Sequence, residues 1–351
     1  MPGQVRPLIV ENTLMCQIRF FWMAKMNNLQ VCKLRNALCV LVLLSASNAW
    51  AQYPEKAIRF VVPFAPGGTS EIVARSVASS LTTQLGQSVY VENKPGAAGS
   101  IAMAEVKRAA PDGYTLILGH VGTLAVNPAL FGAKLTYDPV KDFVAISLIA
   151  KVPNVIAVSQ RAGFKTLADM VAAAKAKPGS INYGSAGNGS AGHLAMEYFA
   201  SEAGIELTHV PYKGSGPMLT DLIGGQTQAT FNGLPSLVAQ IKGGALVPLA
   251  VGSGARAASL PEVPTIAESG YPGFETSQWY GLMAPAGTPE AIVKRLQSEL
   301  VIALKSPEGT KRMRDDGALL VGDTPQEFTA FIAQERARWG EVVKKAKINV
   351  D

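Results

Sequence analysis

The sequence predicts an α/β fold of two lobes, each a parallel sheet flanked by helices. Three observations carry this. Short runs of branched apolar residues alternate with helical segments along most of the 351 residues. Several strand runs open into glycine-rich loops that lead straight into helices. The chain also leaves its first sheet near Pro153 and returns near Ser277, which implies two lobes with a cleft between them.

The elements run in order along the chain. "AIRFVVPFA" (57–65) is a buried strand, followed by a Pro-Gly-Gly loop and a helix over 70–85. "SVYVEN" (88–93) is a second strand, and "KPGAAGS" turns the chain into a helix reaching Arg108. "PDG" is a turn before a third strand, "YTLILG". Two strands then lie close together, 142–150 and 154–159, with Pro153 between them. Strands are expected at 181–184, 208–212, 229–232 and 247–252, with helices between them. After "LPEVPTIAESGYPGFE", "WYGLMAP" (279–285) is a return strand, and helices over 290–304 and 325–347 close the chain. The expected division is residues 52–153 plus 278–351 for one lobe and 154–277 for the other.

Residues 1–51 read as a leader. Lys33 and Arg35 precede a short apolar run, 37–46, and Ala49-Trp50-Ala51 is a cleavage signature. The expected start is Met26, with cleavage after Ala51. Of 32 basic and 26 acidic residues, five and one lie in this leader, which leaves 27 and 25 and a net charge of +2. That balance carries no nucleic-acid footprint. Cys16, Cys32 and Cys39 also fall there, so the mature chain is expected to hold no disulfide and no thiolate chemistry. These features predict an exported, soluble, monomeric protein.

Three loops share one design. They are "PFAPGGTSE" (63–71), "NKPGAAGS" (93–100) and "GSAGNGSAGH" (184–193). Each presents backbone N–H groups and the positive end of the next helix, which suits a carboxylate or a phosphate. Gly187, Gly189 and Gly192 spell G-x-G-x-x-G, the dinucleotide fingerprint. The acid at about the right distance, Glu206, precedes the next strand instead of ending it, so no nicotinamide cofactor is expected. His120, His193 and His209 show no metal-ligand spacing, and no phosphate loop or nucleophile elbow occurs. His120 and His193 lie near strand ends and suit either a structural hydrogen bond or ligand contact, whereas His209 reads as structural. Thr123, Lys213 and Asn232 also sit near strand ends, with Ser215 close by. Trp279 and Tyr280 read as hinge or core residues.

"VVPFAPGG", "ENKPGAAG", "AAPDGYTL", "YDPVKDF", "YGSAGNGSAGH", "PYKGSGP", "LIGGQ", "GLPS" and "WYGLMAPAGTP", in this order, resemble the Bug family. These are the TctC-type substrate-binding proteins of tripartite tricarboxylate transporters. The resemblance implies a periplasmic, two-lobed Venus-flytrap protein of the type II binding fold. It implies a small carboxylate ligand, whether a di- or tricarboxylate, an aromatic acid or an amino acid, with membrane transporter subunits as partners, no cofactor and no catalysis. It places ligand contacts at Phe64, Ala65, Pro66, Gly67, Gly68 and Thr69, with Ser70 and Glu71 following. A second loop supplies Ser185, Gly187, Gly189, Ser190 and His193. Two positions depart from the family pattern: Glu71 stands where an Asp is usual, and Ala98 where a Gly is usual. The longer Glu71 weakens the case for an amino-acid ligand. An exported enzyme acting on small acids and a ligand-dependent partner of a sensor protein are the alternatives.

Overall fold

The computed structural model describes residues 53–346. The fold lies within the unit Lys56–Asp351. The expected leader, with its start and cleavage site, lies outside the described residues.

Ten strands form one continuous, mixed sheet. β1 (Ile58–Val62) lies between β2 (Val89–Asn93) and β3 (Thr115–His120), all parallel. α1 (Thr69–Leu85) follows β1, and α2 (Ser100–Val106) follows β2 after a single 3-10 turn, Ala97–Gly99. β3 runs into a π-helical turn, Gly122–Val126, and the short α3 (Asn127–Phe131). β4 (Phe143–Ser159) is the spine of the molecule. α4 (Leu167–Ala176), β5 (Asn182–Ser185), α5 (Ala191–Ala203), β6 (Thr208–Pro211), α6 (Ser215–Gly224), β7 (Ala229–Gly233), α7 (Leu234–Lys242) and β8 (Leu246–Val251) come next. β9 (Ser277–Pro285) returns, and α8 (Glu290–Lys305), α9 (Pro307–Asp315), β10 (Leu319–Leu320) and α10 (Pro325–Ala346) complete the fold.

Two expectations are corrected. The strands foreseen on either side of Pro153 are one strand, β4. Its residues Phe143–Pro153 pair with β9, and Asn154–Ser159 pair with β7 and β8. Pro153 sits opposite Ser277 at the changeover, where the missing N–H costs least. The sheet is also not purely parallel. β9 is antiparallel to both β3 and β4, and β4 is antiparallel to β7 and β8. This is the result of the double crossing: β4 leaves the first half and β9 returns, so the two run in opposite senses. The helix after β2 stops at Val106, and α9 and β10 carry no clear periodic signal in the sequence.

β4 is buried on both faces beyond the changeover. Ile156 and Val158 face a cluster with Met170, Phe199, Phe231 and Phe274. Val155 and Ala157 face the opposite cluster, with Met218, Leu222, Leu234 and Leu237. In the first half, Val61, Met103, Ile117, Trp279, Phe328 and Trp339 form the core that docks α10. Burying each such side chain contributes about 1.5–3 kcal/mol. These cores support the strand ends from which the glycine-rich loops emerge.

Candidate functional site

A chamber lies where the carboxyl ends of β1, β3, β5 and β7 meet the start of β9. Three helix starts line it, α1 at Gly68 to Ser70, α5 at Ser190 to Gly192 and α6 at Gly214 and Ser215, and a fourth helix, α7, begins just beyond the lining residue Asn232. Three of these helices begin at glycine, Gly68, Gly214 and Gly233, with no side chain capping the first turn. Their leading N–H groups therefore lack a side-chain acceptor and present partial positive charge. At α5 the cap is Ser190, whose Oγ accepts from the His193 N–H at 3.4 Å. An accepting hydroxyl keeps its own proton available for a ligand.

A polar chain crosses the chamber floor. Gly122 N–H donates to His120 Nδ1 at 3.0 Å, so the neutral ring carries its proton on Nε2 and gives it to Gln278. Burial pushes the His120 pKa down to about 3, partly offset by the Gln278 bond. Gln278 also accepts from the Tyr280 hydroxyl and donates to Asn232 Oδ1 at 3.4 Å. Asn232 Nδ2 donates to Ser215 Oγ at 2.9 Å and Ser236 Oγ at 3.4 Å. Each link has a direction, and the chain leaves the Ser215 proton unused. The network joins β3 and β9 to β7 and α6.

The lining holds no carboxylate and no cationic side chain, and its one imidazole is neutral. Backbone amides and hydroxyls remain, a donor set that suits a compact anion. The centre of a water-sized sphere has about 30 Å³ there, within a total empty space of about 370 Å³ that includes the open mouth. That is a small space, on the scale of a single small polar group. An outer chamber shares Phe64, Ala65, Ala186 and Ser190 with the first and offers about 530 Å³ by the same measure. Pro63, Pro95, Gly96, Ala97, Ala98, Pro211 and Tyr212 make most of its wall, with Gly187, Asn188 and Lys213.

The structure brings together much of what the sequence singled out. Phe64, Ala65, Gly68, Thr69, Ser70, His120, Ser190 and Asn232 line the inner chamber, and Gly187 and Lys213 the outer. Pro66, Gly67, Glu71, Thr123, Ser185, Gly189 and His193 line neither, and most of them support the walls. Glu71 accepts from the Gly67 N–H at 2.6 Å and pairs with Arg75, which fixes the loop and turns the carboxylate away. Thr123 bonds the backbone of His120. Ser185 holds Gly187 at 3.1 Å and His209 Nε2 at 2.7 Å. His193 Nδ1 accepts from the Gly189 N–H at 3.2 Å, and its ring stacks on His209 with centroids 4.0 Å apart. Gly187 sits at φ 123°, and a Cβ there would lie 2.9 Å from the Tyr212 carbonyl, so only glycine fits this bend. Sequence reasoning passed over Ala186, Gly214 and Gln278, and it read Tyr280 as hinge or core. Gln278 and Tyr280 have no motif of their own, and only the return of β9 beside β3 brings them to the wall. Trp279, by contrast, is core as expected, its indole N–H bonded to Glu335 at 2.8 Å.

With this geometry in place, the comparisons with known proteins are decisive. The family described as "Tripartite tricarboxylate transporter family receptor" matches residues 73–348. The chain belongs to this family. Protein BugT of Bordetella pertussis is 37% identical over 294 residues, 84% of this chain and 90% of that protein. The structure of R. palustris Rpa4515 with adipate superposes with a TM-score of 0.82 at 39% identity, covering 85% of this chain and 99% of that one. The periplasmic binding protein BugD gives 0.80 at 36% identity, covering 85% and 99%. The fold of this receptor is therefore that of periplasmic binding proteins, and its relatives are binding proteins and not enzymes. Among the described residues, no helix is long and apolar enough to cross a membrane.

Proposed function

We propose that this receptor captures a small carboxylate in the inner chamber and delivers it to the membrane subunits of a tripartite tricarboxylate-type transporter, working in the periplasm without catalysis. One observation carries the reading: helix starts uncapped by side chains converge on a chamber lined by neutral donors. Charge-assisted hydrogen bonds contribute about 1.5–3 kcal/mol each, and each helix end adds roughly 0.3–1 kcal/mol. A few such contacts support micromolar binding, about −8 kcal/mol. The adipate bound by the R. palustris relative is the kind of molecule this chemistry would hold.

In this reading the first loop contributes Gly68, Thr69 and Ser70, and the second contributes Ser190 and Gly192. Ser215 adds a hydroxyl. The two halves act as lobes that close on the ligand, with the hinge at the Pro153–Ser277 pair, where β4 and β9 both cross. The Ser185–His209 contact does not favour an enzyme. Its hydroxyl is buried, bonded to Gly187 and outside both chambers.

Native mass spectrometry of the gently purified protein, followed by calorimetric titration of carboxylates, tests this. The expected result is a co-purified acid, or a carboxylate that binds in the micromolar range. Binding of a nicotinamide dinucleotide with no response to any acid would overturn the reading.

A further inference from the structure

The outer chamber is bounded on one side by a strained bend. Ala97 and Ala98 adopt left-handed φ, 46° and 52°, between Gly96 at 132° and Gly99 at 86°. Glycine takes such angles freely, whereas a Cβ crowds the following carbonyl there. The bend is held from behind. The Gly99 N–H donates to the Gly96 carbonyl at 3.0 Å, and the buried Asn127 Nδ2 donates to the Ala98 carbonyl at 3.1 Å. Asn127 is placed in turn by the Tyr137 hydroxyl, which accepts from it at 3.0 Å and donates to the Thr123 carbonyl at 2.6 Å. Such strain persists where the surroundings over-determine it, and it collects at ligand sites.

The two alanines differ in what they meet. Ala97 is exposed, whereas Ala98 is half-buried and lies at the seam between the two halves. A Cβ on Gly189, in the loop after β5, would lie 2.9 Å from the Ala98 Cβ, and the next atom, Asn127 Oδ1, would be 3.9 Å away. The Ala98 methyl therefore fills the space that a side chain on Gly189 would take. The same loop supplies Ala186, Gly187 and Ser190 to the outer chamber. We infer that Ala98 is a binding determinant of the outer chamber: its methyl seals the seam against Gly189 over the bound ligand, and the strained bend is retained for that contact. This rests on the carboxylate-binding reading and adds a residue to it.

Calorimetry with succinate, adipate, citrate, benzoate and glutamate selects the tightest-binding acid, and stopped-flow measurement follows its release. The proteins compared are the unaltered receptor, Ala98→Gly, Gly189→Ala and the double variant, each with a melting curve. Ala98→Gly should hold or raise the melting temperature, because the bend is no longer strained. It should weaken the acid about fourfold, the worth of one buried methyl group, through faster release. Gly189→Ala puts two methyls into one space and should weaken binding by more than about tenfold. The double variant carries one methyl across the same seam and should return to within about twofold of the unaltered receptor. The inference is overturned if Ala98→Gly binds and releases the acid as the unaltered protein does, or if its affinity falls only as its melting temperature falls. It is equally overturned if the double variant binds no better than Gly189→Ala. Each of these results leaves the carboxylate reading standing. Failure of every acid to bind the unaltered receptor overturns both.

Discussion

At the scale of single residues, the inner chamber is lined by neutral groups held by hydrogen bonds. The three histidines follow the same pattern. Burial pushes His193 down to about 3, helped by neighbouring His209, and His209 itself down to about 4. His120 is held near 3 by its own burial. All three are neutral in the native state, and His193 Nδ1 must stay unprotonated to accept from Gly189. An unfolded histidine titrates near 6.5. Below that value the unfolded chain therefore binds protons that the native state refuses. Stability is full above about pH 6.5 and is lost as pH falls toward the native values near 4 and 3, by up to about 1.4 kcal/mol per pH unit for the buried rings of His120 and His193 and by less for the part-exposed His209, whose charge solvent screens. Denaturant melts at pH 7, 6 and 5 check this, with His209→Phe as the comparison. The variant keeps the stack on His193 and Tyr183 but cannot titrate, so its stability should fall less steeply with acid. Equal slopes would show that His209 does not contribute. The sequence showed that these histidines lack metal spacing. It did not show that His193 and His209 stack, because their contact depends on β6 lying beside β5.

At the scale of elements, the proposed function rests on how helices begin. α4 carries a full capping box, Thr166 with Asp169, far from the chambers. α1, α6 and α7 begin at glycine and carry no side-chain cap. Leaving a helix start open forgoes stability and leaves donors for a ligand. Gly68→Asp tests the trade. Gly68 is extended, at φ −100° and ψ 172°, a conformation that suits an aspartate cap. The new carboxylate would satisfy α1 and occupy the place of a bound anion. A Cβ there lies 3.1 Å from Ser215 Oγ, and this crowding offsets the gain from the cap. The expected outcome is a melting temperature within a few degrees of the unaltered protein, with carboxylate affinity reduced more than tenfold. Retained affinity would argue against α1 as part of the site. The glycine-rich loops were legible because glycine and strand-to-helix transitions leave a local pattern. Ala97 and Ala98 were less so. Both adopt left-handed φ, 46° and 52°, and nothing local announces that an alanine holds this bend.

At the scale of the whole molecule, one long strand and its returning partner tie the halves together. The double crossing was legible from the apolar runs around Pro153 and at Trp279. The continuity of β4 was not, because a proline reads locally as a break, and only the change of pairing partner shows why it is tolerated. The same limit hid Gln278 and Tyr280, whose role depends on contacts far apart in sequence. The halves meet closely around the chamber: the Thr69 hydroxyl lies 3.4 Å from the Gly233 carbonyl, and a Cβ on Gly68 would lie 3.1 Å from Ser215 Oγ. A single carboxylate in the inner chamber would therefore touch both halves at once. The most direct measurement is a crystal structure of the receptor with its tightest-binding acid. One carboxylate is expected in the inner chamber, within about 3.2 Å of the leading N–H groups of α1 and α5 and of the Ser215 hydroxyl. An acid bound with that chamber empty, or a ligand that meets it with an apolar or cationic group, would contradict carboxylate capture by open helix starts.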